Sequence, residues 1–333
     1  MPATIEAVFD DFIECINAER WASLPVRFPL NLNEEHVADG AAFGALVGRA
    51  GTLRVDANAV TADRATGYLG ATSLGTIRLA GRDRDGDGGG GREGEEEGEG
   101  EGEGEEAGRT IRLMEQYILR IEDGRITELS MISVVPETVV ARQPRPGEPG
   151  YATDAELLRS YYDIAAPTSA AADSAGREEE EEEEVERGRD GDGDRGGQRR
   201  LSTSELESTY RAYIGCINAR TTATGLPRFC HGHVTHNATR LSLDGYRALI
   251  QQTLAAVPDI VFAVDILVAD EVAQRVAARL RFSGTPTGEL AGAKPTGRSV
   301  HFCEYVTYAF RDGKIDRVWS IVDWGTYRWQ LAQ

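Results

Sequence analysis

The chain repeats itself, and this internal duplication constrains its fold more than any other feature. Residues 12–18 read Phe-Ile-Glu-Cys-Ile-Asn-Ala and return at 213–219 as Tyr-Ile-Gly-Cys-Ile-Asn-Ala. Near the end of each half, Glu-Asp-Gly-Arg-Ile at 122–126 is matched by Arg-Asp-Gly-Lys-Ile at 311–315. Because a repeated sequence encodes a repeated structural unit, we predict two tandem copies of one fold.

Two acidic runs mark the boundaries of these copies. Residues 81–108 contain 12 Asp and Glu against 3 Arg, and residues 176–200 contain 11 against 6. Such runs cannot bury enough apolar surface to offset chain entropy, so we predict that both are disordered. We divide the chain into a first repeat at 1–143 with the insertion 81–108, a linker at 144–203 with one short helix and the run 176–200, and a second repeat at 204–333.

Composition excludes several classes of protein. Of the net charge of −19, the two acidic runs carry −9 and −5, so the remainder of the chain is only mildly acidic. It shows no basic patch of the kind that would indicate a nucleic-acid partner. No apolar run reaches the roughly 18 residues that a membrane span needs. The acidic start lacks a signal peptide, and four cysteines without close pairing fit a reducing compartment. We expect a cytoplasmic protein without a membrane partner.

Local patterns predict a mixture of helices and strands. Each Asp-Gly pair lies between alternating apolar runs and predicts a β-hairpin. In the second repeat, Ser204 and Glu207 predict a capping box that starts a helix, and a further helix is predicted at 243–256. Strands follow at 260–269 and 272–282. The second of these places three arginines on one face, which we interpret as solvated: Arg275, Arg279 and Arg281.

A series of motifs in the second repeat resembles one family. The motifs are Val257-Pro258-Asp259, Phe-Ser-Gly-Thr-Pro-Thr-Gly at 282–288, Pro-Thr-Gly-Arg at 295–298, and the hairpin followed by Trp319 and Asp323. Together they resemble the SnoaL-like polyketide cyclases of the nuclear transport factor 2-like superfamily, over residues 205–331. The resemblance implies an α+β fold of tandem cone-shaped, curved antiparallel sheets, each wrapped on its N-terminal helices. It also implies an intrachain pseudo-dimer of the repeats, with a homo-oligomer possible.

The resemblance further implies a function. SnoaL-like cyclases bind a small hydrophobic, polyketide-like ligand in an apolar pocket and use neither cofactor nor metal. A carboxylate removes a proton, and the enolate closes a ring by aldol attack. We therefore expect a cyclase or isomerase of secondary metabolism in the second repeat. The alternative is a non-catalytic ligand-binding or scaffold protein of the same fold, favoured because the His that these cyclases often carry before the Trp is Val318 here.

One carboxylate is the candidate catalytic residue. Asp323 matches the family's acid–base aspartate. It follows an apolar run, where burial would raise its pKa. The alternative is that its carboxylate caps the turn at Trp324 and has only a structural role. The first repeat has Val134 at the matching position. We predict six further residues as substrate-binding: His236, Asn237, Glu304, Trp319, Tyr213 and Asn218. Core packing is the alternative for Tyr213, and an arginine partner the alternative for Glu304.

The histidines allow one other interpretation. His231, His233 and His236 are three of the five histidines in the chain, and His-x-His on a strand places two imidazoles on one face. No carboxylate stands at ligand spacing, and the region has the composition of a loop. We therefore predict no metal site. A metal-dependent hydrolase is the third class of function, and it rests on this histidine cluster alone.

If the acidic runs are spacers, deleting residues 81–108 or residues 176–200 should leave the melting temperature nearly unchanged. Thermal unfolding followed by circular dichroism measures this. A loss of several degrees would contradict the prediction, because it would show that the deleted run contributes to the folded state.

Overall fold

Each repeat opens with an amphipathic helix, and a sheet curves around it. The computed structural model describes residues 3–33, 35–47, 52–78, 110–134, 199–237 and 239–333. The acidic run 81–108, residues 176–198 of the other run and the short linker helix lie outside the described residues. Among the described helices, none is long and apolar enough to cross a lipid bilayer.

The first repeat has two α-helices and six strands in its described part. In chain order they are α1 (Ile5–Asn17), β1 (Leu30–Leu32), β2 (Glu35–Val37), α2 (Gly40–Val47), β3 (Thr52–Asp63), β4 (Tyr68–Arg78), β5 (Thr110–Glu122) and β6 (Arg125–Val134). Apolar residues of α1, including Phe9, Phe12 and Ile16, are fully buried against the sheet. This buried helical face is what the 3.6-residue period of the sequence predicts.

The second repeat follows the same order with longer helices. Its elements are α3 (Thr203–Asn218), α4 (Thr222–Phe229), β7 (Cys230–His236), β8 (Thr239–Ser242), α5 (Leu243–Ala256), β9 (Val261–Asp270), β10 (Arg275–Gly284), β11 (Val300–Arg311), β12 (Lys314–Val322) and α6 (Trp324–Ala332). Helix α5 has the predicted bounds. The capping box is formed by Ser202 and Glu205, two residues before the predicted pair, which starts α3 earlier than expected.

The two sheets have the same strand order. The first runs β2-β1-β6-β5-β4-β3 and the second β8-β7-β12-β11-β10-β9. Most neighbours are antiparallel, but β1 pairs with β6 and β7 with β12 in parallel. The fold is therefore α+β with two curled sheets in tandem, as expected, but each sheet is mixed and not antiparallel throughout. The histidine segment, predicted as a loop, forms strand β7, which enters the sheet beside the last strand.

Two asparagines in each repeat bind the backbone of a sheet strand through paired hydrogen bonds. In the second repeat, the Asn218 side chain accepts from the Phe262 amide and donates to the Phe262 carbonyl, both at 2.9 Å. Asn237, with φ 51°, does the same to Ser320 at 2.8 and 3.1 Å. In the first repeat, Asn17 clamps Val55 and Asn33 clamps Met131. Because the same hydrogen bonds occur in both repeats, these side chains have a structural role in the fold.

The outer faces of the two sheets pack against each other. One apolar cluster joins Leu74 and Met114 of the first repeat to Trp319 and Ile321 of the second. A second cluster joins Ile118 to three residues of the second repeat: Val268, Ala277 and Tyr305. The helices cover the inner face of each sheet, so this contact removes the central part of the remaining apolar surface from water.

Polar groups cross the same contact. The Thr72 and Thr307 hydroxyls are 3.0 Å apart, and the Gln116 side chain donates to the Trp319 carbonyl at 2.9 Å. Arg279, predicted as solvated, donates to the Ser130 hydroxyl at 2.7 Å and to Asp265 at 2.6 Å. The prediction was wrong for Arg279 because the face it occupies is covered by the other repeat.

A glycine makes the close approach of the sheets possible. A methyl group added at Gly70 in β4 would overlap the Ala277 side chain of β10. We expect Gly70→Val to lower the free energy of unfolding by about 1–3 kcal/mol, because overpacking forces the sheets apart. Urea denaturation measures the change.

Gly215→Ala is the matched control for that substitution. An added methyl group on α3 at this position meets no atom within 4 Å, and alanine favours a helix by about 0.5–1 kcal/mol over glycine. This variant should be at least as stable as the wild type. Equal stability of Gly70→Val and the wild type would show that the sheets do not approach as closely as described.

Candidate functional site

Glu304 is a carboxylate on the inner face of the second sheet. Its neighbours across the strands are Leu280 and Val322, and Phe302 and Val306 lie on the same face of β11. The Ser320 hydroxyl, on β12, donates a hydrogen bond of 2.5 Å to the carboxylate. The strand alternation of the sequence predicts this apolar surrounding, but the predicted alternative of an arginine partner is not what the structure shows.

The position of Glu304 changes its acidity. Burial raises the pKa of the Glu304 carboxyl to about 7, and the hydrogen bond from Ser320 opposes that shift. The side chain nevertheless keeps some accessible surface. A carboxyl that keeps accessible surface can be reached by a ligand. A carboxyl that titrates near neutral pH can both take and return a proton under physiological conditions.

The charge of Glu304 acts on three buried tyrosines, Tyr210, Tyr246 and Tyr308, and a fourth, Tyr213, is hydrogen-bonded to Tyr246. Tyr210 and Tyr213 come from α3, Tyr246 from α5 and Tyr308 from β11, and all are buried. The Tyr213 and Tyr246 hydroxyl oxygens are 2.6 Å apart. Burial raises the pKa of each tyrosine, so their hydroxyls stay protonated and serve as hydrogen-bond donors. Tyr213, predicted to bind substrate with core packing as the alternative, is buried in the core of the second repeat.

His236 lies on the same inner face. Burial lowers the pKa of His236 to about 4, so its imidazole is neutral at pH 7. Its ring centroid is 6.1 Å from that of Tyr246. In the sheet, His236 of β7 is the direct neighbour of Val318 of β12. An imidazole therefore lies on the inner face beside Val318.

An aromatic row leads away from the carboxylate. Phe262, Phe282 and Phe302 follow one another across three strands with centroid distances of 4.5 and 5.1 Å, and Trp324 continues the row at 5.7 Å. Phe262 and Trp324 are partly exposed. The row forms an apolar wall that suits a planar ligand.

Asp323 occupies a different environment from the one predicted for a base. It is the N-cap of α6: its Oδ1 accepts from the Thr326 amide at 2.9 Å and its Oδ2 from the Thr326 hydroxyl at 2.6 Å. Both carboxylate oxygens are therefore engaged in starting the helix. This is the structural alternative that the sequence analysis left open.

Three other predicted ligand-binding residues lie outside the site. Trp319 faces the other repeat, because strand alternation places it opposite to Ser320. Asn218 and Asn237 use their amide groups to clamp the backbone. Of the seven predicted site residues, the structure brings together Glu304, His236 and Tyr213.

Sequence reasoning did not select Tyr210, Tyr246, Tyr308 or Ser320, although the repeat contained the signal. Aligning the copies on their Asp-Gly turns and opening helices pairs Tyr210, Tyr213, Tyr246 and Tyr308 with Phe9, Phe12, Phe43 and Leu119. The same alignment pairs His236 with Leu32 and Ser320 with Met131. The first repeat keeps the frame and a buried glutamate, Glu115, which accepts a hydrogen bond of 2.8 Å from the buried Tyr117 hydroxyl, but it lacks counterparts of the polar groups near Glu304.

The histidine motif does not form a metal centre in the described part of the chain. His231 and His233 face the outside of the sheet, and His236 faces the inside. His231 is bonded through Nε2 to the Arg311 carbonyl at 2.8 Å. Among the described residues, no three His, Cys, Asp or Glu side chains are grouped so that they could hold a metal ion.

Comparisons with known proteins bear on the second repeat. The sequence profile of the SnoaL-like polyketide cyclases matches residues 207–331. A SnoaL-like polyketide cyclase from Agrobacterium tumefaciens is 37% identical over 39% of this chain and 99% of its own length, with a TM-score of 0.36. The chain belongs to the SnoaL-like polyketide cyclase family. No protein of curated function matches it in a sequence search.

Other solved structures similar to this SnoaL-like protein are less close in sequence. IdmH from Streptomyces antibioticus is 24% identical over 38% of this chain and 99% of its own, with a TM-score of 0.35. TsrD from Streptomyces laurentii is 22% identical over 39% of this chain and 97% of its own, with a TM-score of 0.36. Each relative therefore corresponds in length to one repeat of the tandem chain.

The raised pKa of Glu304 predicts a pH-dependent stability. The folded protein holds this proton up to about pH 7, whereas the unfolded chain loses it near its ordinary value of 4.5. The stabilisation is therefore present below pH 4.5 and is lost as the pH rises through 7, by up to about 3 kcal/mol. Glu304→Gln, which keeps an acceptor for Ser320, removes this dependence.

Denaturant unfolding of both proteins from pH 5 to pH 8 tests this. The stability of Glu304→Gln relative to the wild type should increase with pH. Glu289→Gln, at an exposed position, is the control, and its difference from the wild type should stay flat. A flat difference for Glu304→Gln as well would show that Glu304 is solvated in solution.

Proposed function

We propose that the second repeat is a cofactor-independent cyclase or isomerase that moves a proton on a small, largely apolar ligand of the polyketide type. One observation supports this most strongly: a carboxyl group with a pKa of about 7 lies among apolar side chains and keeps some accessible surface. This environment suits removal of a proton from carbon next to a carbonyl group, and return of the proton after ring closure.

In this proposal Glu304 is the catalytic acid–base group. The neutral imidazole of His236 and the tyrosine hydroxyls are donors for the enolate oxygen, which gains negative charge when the proton leaves. The aromatic row from Phe262 to Trp324 orients the planar part of the ligand. Asp323, the residue that the family resemblance favours, has both oxygens committed to the N-terminus of α6, so we assign it a positioning role.

Ligand binding without catalysis is the second candidate. The first repeat supports it, because a SnoaL-like fold persists there without the polar groups that surround Glu304. A protein that only binds would use the same apolar wall and tolerate loss of the carboxylate. The two candidates differ in whether proton exchange on the ligand depends on Glu304.

Hydrogen–deuterium exchange separates these candidates without knowledge of the natural substrate. A panel of aryl β-keto esters in deuterated buffer would be followed by proton NMR, which reports removal of the α-proton even where no ring closes. We expect the wild type to accelerate exchange and Glu304→Gln to lose roughly 10²–10⁴-fold of that rate, the usual contribution of a general base.

Two matched variants accompany this measurement. Glu115→Gln changes the equivalent glutamate of the first repeat and should leave exchange unchanged. Asp323→Asn keeps a good N-cap residue and should also retain exchange. If Asp323→Asn lost the activity and Glu304→Gln kept it, Asp323 would be the base. Binding of the esters with no acceleration by the wild type would support the binding protein instead.

A further inference from the structure

Tyr327 is a buried polar residue that neither the fold nor the proposed function uses. It lies on α6, and its side chain has no accessible surface. Its hydroxyl group has no hydrogen-bond partner among the residues that the structure describes. A buried hydroxyl without a partner lowers stability, and phenylalanine would fill the same space without that cost. A role other than packing would explain why a tyrosine stands at this position.

Helix α6 follows strand β11 away from the proposed catalytic carboxylate. At its start, the Asp323 amide donates to the Cys303 carbonyl at 2.9 Å. Near its end, the Gln330 side chain is bonded to the His301 amide and carbonyl at 2.8 and 2.6 Å. The helix therefore runs along the first residues of β11. This direction places Tyr327 on the side of the site that is remote from the carboxylate.

Tyr327 forms the end of the aromatic row. Its ring contacts those of Phe302 and Trp324 edge to face, with centroid distances of 5.1 and 5.6 Å. Phe302 and Glu304 are alternate residues on one face of β11, so their Cα atoms are about 7 Å apart. A planar ligand with one end at the carboxylate and its rings along this wall therefore has its other end beside Tyr327.

We propose that Tyr327 determines ligand specificity in the second repeat, because its hydroxyl donates a hydrogen bond to an oxygen at the end of the ligand remote from the reacting carbon. This inference rests on the proposed function. It narrows the ligand to aromatic compounds of at least two fused rings that carry a carbonyl or ether oxygen at the remote end.

The chemistry of the position supports a donor. Burial raises the pKa of Tyr327, so its hydroxyl stays protonated. A site that bonds a polar group of its ligand rejects an analogue without that group, because the buried hydroxyl is then left unpaired. Contact with the ligand requires a rotation of Trp324, whose ring is partly exposed at the end of the row.

Two β-keto esters that differ in one group test the proposal. One carries a naphthalene ring system with a methoxy group on the ring remote from the keto group, and the other has an ethyl group in place of the methoxy group. Isothermal titration calorimetry of the full chain with each ester gives two affinities, and their ratio measures the contribution of the remote oxygen. Because binding heats do not require turnover, this ratio does not depend on whether Glu304 is a base.

We expect the wild type to bind the methoxy ester about tenfold more tightly than the ethyl ester, since the oxygen pairs a buried donor. Tyr327→Phe should bind both esters equally and should keep the affinity for the ethyl ester. Tyr68→Phe is the matched control. It removes a tyrosine hydroxyl of the first repeat that is bonded to Glu128 at 3.3 Å, and it should keep the tenfold ratio.

Urea denaturation of the same variant without ester tests the unpaired state of the hydroxyl. Tyr327→Phe should be at least as stable as the wild type, because it removes a buried donor that has no partner. A clear loss of stability would show that the hydroxyl is already bonded within the chain, and the proposal would then be wrong.

The binding results separate this proposal from the proposed function. Equal affinity of the wild type for the two esters, no binding of either ester, or a preference that persists in Tyr327→Phe would overturn the role of Tyr327. Proton exchange on the same esters is measured in parallel. A preference that depends on Tyr327, found without any acceleration of exchange, would support the role of Tyr327 and contradict catalysis by Glu304.

Discussion

A curved sheet has two faces, and its own helices can cover only one of them. Both repeats solve this problem by placing their outer faces together, with Leu74, Met114, Trp319 and Ile321 at the centre of the contact. The rest of the structure follows from this pairing. Arg279 is held by Ser130 of the other repeat, and Gly70 has to be small.

The inner faces of the two repeats show what the frame requires and what it does not. The asparagine clamps at Asn17, Asn33, Asn218 and Asn237 are present in both. The hydroxyls of Tyr210, Tyr213, Tyr246, Tyr308 and Ser320 and the His236 imidazole have no counterpart in the first, whose buried Glu115 is bonded by the Tyr117 hydroxyl instead. Burying these polar groups costs free energy unless they are paired, so their retention in one copy alone favours a role in chemistry or ligand binding there.

The duplication could be predicted from the repeated phrases, the SnoaL-like fold from a resemblance of motifs, and the apolar face that carries Glu304 from strand alternation. The role of Trp319 could not, since this residue was expected to contact a ligand and instead contacts the other repeat. Asn218 and Asn237 have the composition of ligand-binding residues, but their bonds are to backbone atoms distant in sequence. The position of His236 beside Val318 depends on the parallel pairing of β7 and β12, which no local sequence pattern shows.

Joining the two copies in one chain has a consequence for how such a protein changes over time. In a symmetric dimer of identical chains, each substitution appears twice and alters both sites and both sides of the contact. Here each half varies independently, and the covalent link keeps the halves at a high effective concentration whatever the level of expression. One half can therefore become a permanent partner that only supports the other. Its interior can then lose hydroxyl groups that a chain forming a symmetric dimer would have to keep.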